Sequence, residues 1–205
     1  MDLLTLLTVI GGVVLTIGYL PQIIKLHKTY NTAGINIAFW YLIAGAVLIT
    51  AINLVIDSAP LVLIIIQSAN ALLAFYLVYL VTDLRGKPAF GIILALVLVV
   101  LFVSAVPLSI TQGAATVMIV IAYASQLVTL FKADSVEGVS PSLYLVIAIG
   151  LAIMALKMFV TEVTAHIIAT ELVNITLLLL CAAVSSYHLY VRGGKEVESE
   201  TIRIH

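Results

Sequence analysis

Seven long apolar stretches, each close to the length of a membrane-spanning helix, constrain this sequence more than any other feature. A bilayer core takes about 20 apolar residues in helical conformation, and only 9% of the 205 residues are charged. The stretches lie at about 3–26, 36–56, 60–82, 88–107, 112–131, 141–160 and 165–190. They predict an all-α membrane protein with seven transmembrane helices and exclude a water-soluble globule.

The charge and the reactive residues exclude several classes of function. A net charge of −1 with no basic block gives no electrostatic basis for binding nucleic acid. The single cysteine, Cys181, and four scattered histidines provide neither a nucleophile paired with a base nor a metal cluster. We therefore expect no enzyme, no cofactor and no metal ion, and the expected partners are the lipid bilayer and a small polar solute, with protons as a further candidate.

The basic residues predict how the chain is oriented. Eight of them follow the first, third, fifth and seventh stretches and so fall on one side of the membrane: Lys25, Lys28, Arg85, Lys87, Lys132, Arg192, Lys195 and Arg203. Because cytoplasmic loops are rich in Lys and Arg, we expect the N-terminus outside and the C-terminus in the cytoplasm. A prokaryotic cytoplasmic membrane is the simplest location. Lys157, near the outer end of the sixth stretch, is the exception.

The sequence also repeats itself at an offset of 104 residues, which aligns 5–82 with 109–186 without a gap. The polar coincidences are the informative ones: Tyr19 with Tyr123, Gln22 with Gln126, Lys28 with Lys132, Gly34 with Gly138, and Asn70 with Asn174. We expect a first three-helix repeat at 1–83, a linker transmembrane helix at 84–108, a second three-helix repeat at 109–191 and a cytoplasmic tail at 192–205. The linker gives both repeats the same orientation, a 3+1+3 parallel arrangement that places a shared site at their interface.

The motif Gly18-Tyr19-Leu20-Pro21-Gln22, followed by Gly34, resembles the PQ-loop repeat of SWEET, SemiSWEET and cystinosin-type transporters. The second copy is similar, with Ser125 in place of the proline before Gln126. The resemblance implies a SWEET-like fold and alternating-access transport, either sugar uniport or proton-coupled amino-acid transport. It also implies that a monomer suffices, because SemiSWEETs build the same site as dimers; a homo-oligomer stays open. The alternative is a ligand- or cargo-binding receptor on the same scaffold, like the KDEL receptor.

Several residues near the cytoplasmic end are candidates for a gate. A proline within a helix removes a donor and bends the helix, so Pro21 predicts either a hinge or a static bend, and Ser125 predicts a milder perturbation. The neighbouring glutamines either hold the freed backbone or touch solute. The hinge and gate candidates are Tyr19, Pro21, Gln22, Tyr123, Ser125 and Gln126. The other aromatics there, Trp40, Tyr41 and Tyr144, fit an interfacial belt.

The candidate binding residues lie near mid-membrane. Asn70 and Asn174 are each about 15 Å into their helices, and they resemble the paired pocket asparagines of SWEET proteins, which implies substrate binding. The full set is Asn53, Gln67, Asn70, Lys157, Glu171 and Asn174. Intramembrane charges need partners, so we expect an ion pair between Lys157 and Glu171, either structural or as a solute or proton site. The stacking tryptophan of many SWEET proteins would fall near Leu54 or Met158, which makes sugar the less favoured substrate.

Overall fold

The computed structural model describes residues 3–161 and 165–192, and this part of the chain is helical with no strand. The helices are α1 (Leu3–Gly18), α2 (Leu20–Thr29), α3 (Ile37–Ile56), α4 (Leu61–Leu84), α5 (Phe90–Ala105), α6 (Leu108–Lys132), α7 (Pro141–Val160) and α8 (Ala165–Tyr187), which continues into a π-helical turn (His188–Arg192). The prediction of an all-α membrane protein is confirmed. Nearly all of the predicted tail lies outside the described residues.

Six helices are long and apolar enough to cross a membrane, with α1 and α2 together forming one of them, Leu3–Thr29. Helix α5 is shorter: its 16 residues extend about 24 Å. It nevertheless runs from one end of the bundle to the other. Near its start, Gly91 lies against the Tyr41 hydroxyl, close to the start of α3. The next helix, α6, begins beside Asn53, close to the end of α3. The described chain therefore makes the seven passes that the sequence predicts.

The helices other than α5 form a closed ring in the order α1, α7, α8, α6, α3, α4, counting α1 and α2 as one span. The third helix of each repeat packs against its own first and second helices. The first helix of each repeat packs instead on the second helix of the other repeat, α1 on α7 and α6 on α3. Helix α5 lies outside this ring, mainly against α3. The two repeats are thus interlocked around a central axis.

Small residues allow the interlocking helices to approach closely. A Cβ atom at Gly11 of α1 would lie 3.3 Å from the carbonyl oxygen of Gly150 on α7. The equivalent positions in the α6–α3 contact are Ala115 and Ala46, both fully buried. Without a hydrophobic drive between helices in lipid, such close backbone contact is a main source of helix association.

Two connections of equivalent sequence lie at one end of the bundle: loop 30–36, between α2 and α3, and loop 133–140, between α6 and α7. We call this end the loop end and the opposite one the far end. Trp40 and Tyr144, predicted to be interfacial belt residues, are each only 2% exposed here. That prediction is wrong because the first turns of α3 and α7 are enclosed by the ring and by both loops. Tyr41 is half-buried.

Candidate functional site

A cavity of about 110 Å³ lies inside the ring. Its twelve lining residues form six pairs, each separated by the repeat offset of 104: Leu15 and Ile119, Tyr19 and Tyr123, Ile43 and Ile147, Val47 and Leu151, Gln67 and Glu171, and Asn70 and Asn174. Each repeat contributes residues from its first, second and third helices. The cavity therefore lies on the pseudo-twofold axis that relates the repeats.

The first repeat fixes the orientation of its two cavity amides through a short hydrogen-bond chain. The Nδ2 of Asn70 donates to Gln67 Oε1 at 3.4 Å, and Gln67 Nε2 donates to the Val47 carbonyl, also at 3.4 Å. Because a carbonyl can only accept, the Gln67 amide has one satisfactory orientation, and this in turn sets the orientation of Asn70. The Oδ1 of Asn70 is left buried without a partner.

The second repeat has a carboxylate where the first has an amide. The Glu171 carboxylate interacts with the side-chain amide of Asn174. Because a carboxylate attracts an N–H rather than a carbonyl oxygen, Asn174 presents its amide nitrogen to Glu171, and its oxygen faces elsewhere. Both Asn174 Oδ1 and Glu171 Oε2 are buried without a hydrogen-bond partner. The cavity thus contains three unpartnered oxygen acceptors, counting Asn70 Oδ1.

Lys157 does not reach this cavity. It lines a separate cavity of about 160 Å³ at the far end, between α1, α4 and α7, together with Thr5 and Thr8. The predicted ion pair with Glu171 is not formed: Glu171 Oε2 has no partner, although both side chains belong to the described part of the chain. The two residues lie at similar depth, but depth alone does not place them on facing sides of the bundle.

Asn53, the repeat equivalent of Lys157, also lies outside the central cavity. Its Oδ1 accepts a hydrogen bond from Thr111 Oγ1 at 3.1 Å, and its Nδ2 donates to Gln112 Oε1 at 3.2 Å. Asn53 is six residues after the cavity residue Val47, which rotates it by about 120° around the helix. It therefore faces α6 and ties the two repeats together at the far end.

The two PQ-motif glutamines make reciprocal contacts across the repeats. Gln22 Nε2 donates to the Gly138 carbonyl at 2.7 Å, and Gln22 Oε1 accepts from the Ser140 backbone N–H at 2.8 Å. Gln126 makes the equivalent bonds, both 2.9 Å long, with the Gly34 carbonyl and the Asn36 N–H. Both side chains are 1% exposed. They neither touch the cavity nor hold their own freed backbone; each binds the loop of the other repeat. We call these four bonds the glutamine clasp.

The two loops also touch each other directly. The Gly138 N–H donates to the Ala33 carbonyl at 3.2 Å, and Asn31 Nδ2 donates to Glu137 Oε2 at 2.9 Å. Gly34 has a φ of +77°, a conformation that other residues rarely adopt, and a Cβ there would meet Val136 at 2.9 Å. The loop end is closed by these contacts together with the glutamine clasp.

The span that carries Pro21 is interrupted at Tyr19, whereas its counterpart α6 is continuous. Helix α1 ends at Gly18 and α2 begins at Leu20, with Tyr19 between them at φ −74° and ψ −25°. Since these dihedrals are still helical, the chain is kinked rather than turned. Helix α6 continues through Ser125, whose hydroxyl donates to the Ala122 carbonyl at 2.8 Å. Tyr19 and Tyr123, each one turn before a clasp glutamine, line the cavity on its side towards the loops.

Some contacts were not foreseen from the sequence. Arg85 Nη2 donates to the Ile35 carbonyl at 2.6 Å and so fastens loop 30–36 to the end of α4. Its repeat equivalent is Leu189, which cannot do this for loop 133–140. Asn36 Nδ2 adds a bond to the Ser125 carbonyl at 3.2 Å. From the sequence, Arg85 serves only as one of the basic residues that predict orientation. The lack of an arginine at the equivalent position of the second repeat is the one sequence feature that could have indicated a specific role for it.

A comparison with known protein families identifies the first repeat. The family model of the PQ loop repeat matches residues 3–63, which include the Pro21-Gln22 motif and loop 30–36. No curated protein shows significant sequence similarity to the chain. The resemblance inferred from the motif is confirmed: this is a multi-pass membrane protein with an internal repeat, and it carries a PQ-loop repeat in its first half.

Proposed function

We propose that this protein is an alternating-access transporter of a small polar solute, which binds in the central cavity between the two repeats. The observation that carries the proposal is the composition of that cavity, in which all twelve lining residues belong to six repeat pairs. A site on a pseudo-twofold axis contacts both halves of the protein equally. Rocking of one half against the other can then expose it to each side in turn.

The closed loop end supports this mechanism. The glutamine clasp and the loop contacts join the two repeats there, and Tyr19 and Tyr123 lie between the clasp and the cavity. Breaking these bonds, with the kink before Pro21 as a hinge, would open the cavity at the loop end. The described basic residues within α2, at the end of α6 and just after α4 lie towards this end, which supports its assignment to the cytoplasmic side.

The size of the cavity bears on the choice of solute. At about 110 Å³ it is smaller than the pockets of about 300–1,000 Å³ that bind drug-sized ligands. This supports a solute with few non-hydrogen atoms and disfavours a disaccharide. The sequence-based alternatives are sugar uniport and proton-coupled amino-acid transport. The carboxylate of Glu171 in the cavity favours a solute that carries an amine over a sugar.

Uptake into proteoliposomes tests the proposal. A labelled panel of mono- and disaccharides, neutral and cationic amino acids and small primary amines is measured with and without a pH gradient. We expect saturable uptake of a small solute by the wild type, loss of uptake in the Asn70→Ala/Asn174→Ala double variant, and retention in Lys157→Gln, which changes a residue outside the cavity. If Glu171 carries a proton, Glu171→Gln makes uptake independent of the gradient. Saturable binding without flux would instead establish the receptor alternative.

A further inference from the structure

Three buried side-chain oxygens of the cavity residues have no hydrogen-bond partner. Asn70 Oδ1, Asn174 Oδ1 and Glu171 Oε2 are acceptors, and each is buried without a partner. The amide orientations follow from the chemistry of their neighbours, since Val47 offers a carbonyl and Glu171 a carboxylate, and neither can donate. Each asparagine therefore directs one N–H at its neighbour and leaves its oxygen unpaired.

The charge of the cavity is also one-sided. Glu171 is the one ionisable acid among the described lining residues, and none of them is Lys, Arg or His. Lys157, which would have balanced this charge, lines a different cavity. A carboxylate in a membrane-spanning helix is energetically costly unless it is paired. The cavity therefore offers negative charge and acceptors to a ligand but no cation that could hold a carboxylate.

We propose that the cavity binds a small organic cation with a primary ammonium group and no carboxylate. This inference rests on the proposed function and names the substrate class of the same site. An ammonium supplies N–H donors for unpartnered oxygens and a positive charge for Glu171. Tyr19 and Tyr123, which also line the cavity, have rings of the kind that attract a cation. A cavity of about 110 Å³ suits a cation with few non-hydrogen atoms.

Isothermal titration calorimetry on the purified protein in nanodiscs tests this inference, with propylammonium chloride as the ligand. Four matched compounds serve as controls. Propionate reverses the charge, 1-propanol removes it, β-alanine adds a carboxylate, and sodium chloride replaces the organic cation with an inorganic one. We expect saturable binding of propylammonium alone. Binding of β-alanine with equal affinity, or displacement of propylammonium by sodium at equal concentration, would overturn the assignment.

Exchanging the charge between the repeats separates a binding role of Glu171 from a structural one. Removal of a charge-assisted hydrogen bond lowers affinity by about 10- to 100-fold, which is the loss expected in Glu171→Gln. The double variant Gln67→Glu/Glu171→Gln moves the carboxylate to the repeat-equivalent position and should restore binding. Lys157→Gln should bind as the wild type does. Unchanged affinity in Glu171→Gln would refute the proposal, as would a double variant that folds but does not bind.

Transport currents measured on solid-supported membranes separate the ligand assignment from the proposed transport function. A propylammonium-dependent current in the wild type supports both. Binding of propylammonium without a current would refute transport and leave the ligand assignment standing. Uptake of another solute without propylammonium binding would refute the ligand assignment and leave transport standing.

Discussion

Replacing Gln22 with leucine should open the loop end, by an amount that the structure allows to be worked out. Gln22→Leu preserves much of the side-chain volume but removes both bonds to loop 133–140, those to the Gly138 carbonyl and to the Ser140 N–H. A buried group left without its partner costs about 1–3 kcal/mol, so two cost about 2–6 kcal/mol. At 1.4 kcal/mol per tenfold change, the ratio of closed to open loop ends falls by at least about 30-fold.

The equivalent replacement in the other repeat should have a smaller effect. Gln126→Leu removes the bonds to the Gly34 carbonyl and the Asn36 N–H, but loop 30–36 is still joined to the second repeat by Asn36 Nδ2, which donates to the Ser125 carbonyl at 3.2 Å. Loop 133–140 has Ser140 at the position equivalent to Asn36, and its hydroxyl pairs with Ser142 of its own repeat at 2.9 Å. Adding Asn36→Ser to Gln126→Leu should bring opening to the extent seen in Gln22→Leu.

Pulsed electron–electron double resonance between two spin labels measures this opening. The labels are placed at the exposed repeat equivalents Lys28 and Lys132, by Lys28→Cys and Lys132→Cys in a Cys181→Ala background. We expect a longer and broader distance distribution in Gln22→Leu. The matched control is Gln112→Leu, which removes a bond at the far end and should leave the loop-end distance unchanged. Equal distances in Gln22→Leu and the parent, with both folded, would refute the reasoning.

Two further replacements test the loop contact and the kink. Gly138→Ala should lower thermal stability in detergent, because the new Cβ would lie within 3.0 Å of the backbone at Thr32 and Ala33, at a cost of about 1–3 kcal/mol; Gly113→Ala, with open space around it, should be neutral or slightly stabilising. Pro21→Ala restores a helix donor, so it should raise the thermal midpoint and slow initial uptake several-fold; a wild-type uptake rate would contradict a hinge role.

The sequence predicted some of the residues that line the central cavity and wrongly included others. The internal offset of 104 paired Asn70 with Asn174, Gln67 with Glu171 and Tyr19 with Tyr123, and all six residues line one cavity. The same reasoning failed for Lys157 and Asn53, which are equally well paired in the sequence but lie outside that cavity. An offset identifies equivalent positions, but it does not say which side of a helix faces the axis.

The sequence alone determined that the chain is helical, crosses the membrane and is duplicated. Long apolar segments in lipid must satisfy their backbone hydrogen bonds internally, and therefore form helices. The duplication is visible because polar residues recur at a constant offset when the sequence is aligned with itself. Only the tertiary structure decided that the repeats are interlocked, so that Gln22 holds loop 133–140 and Gln126 holds loop 30–36. The physical reason is that each helix turns by about 100° per residue and meets whichever neighbour the packing of the ring brings to that face.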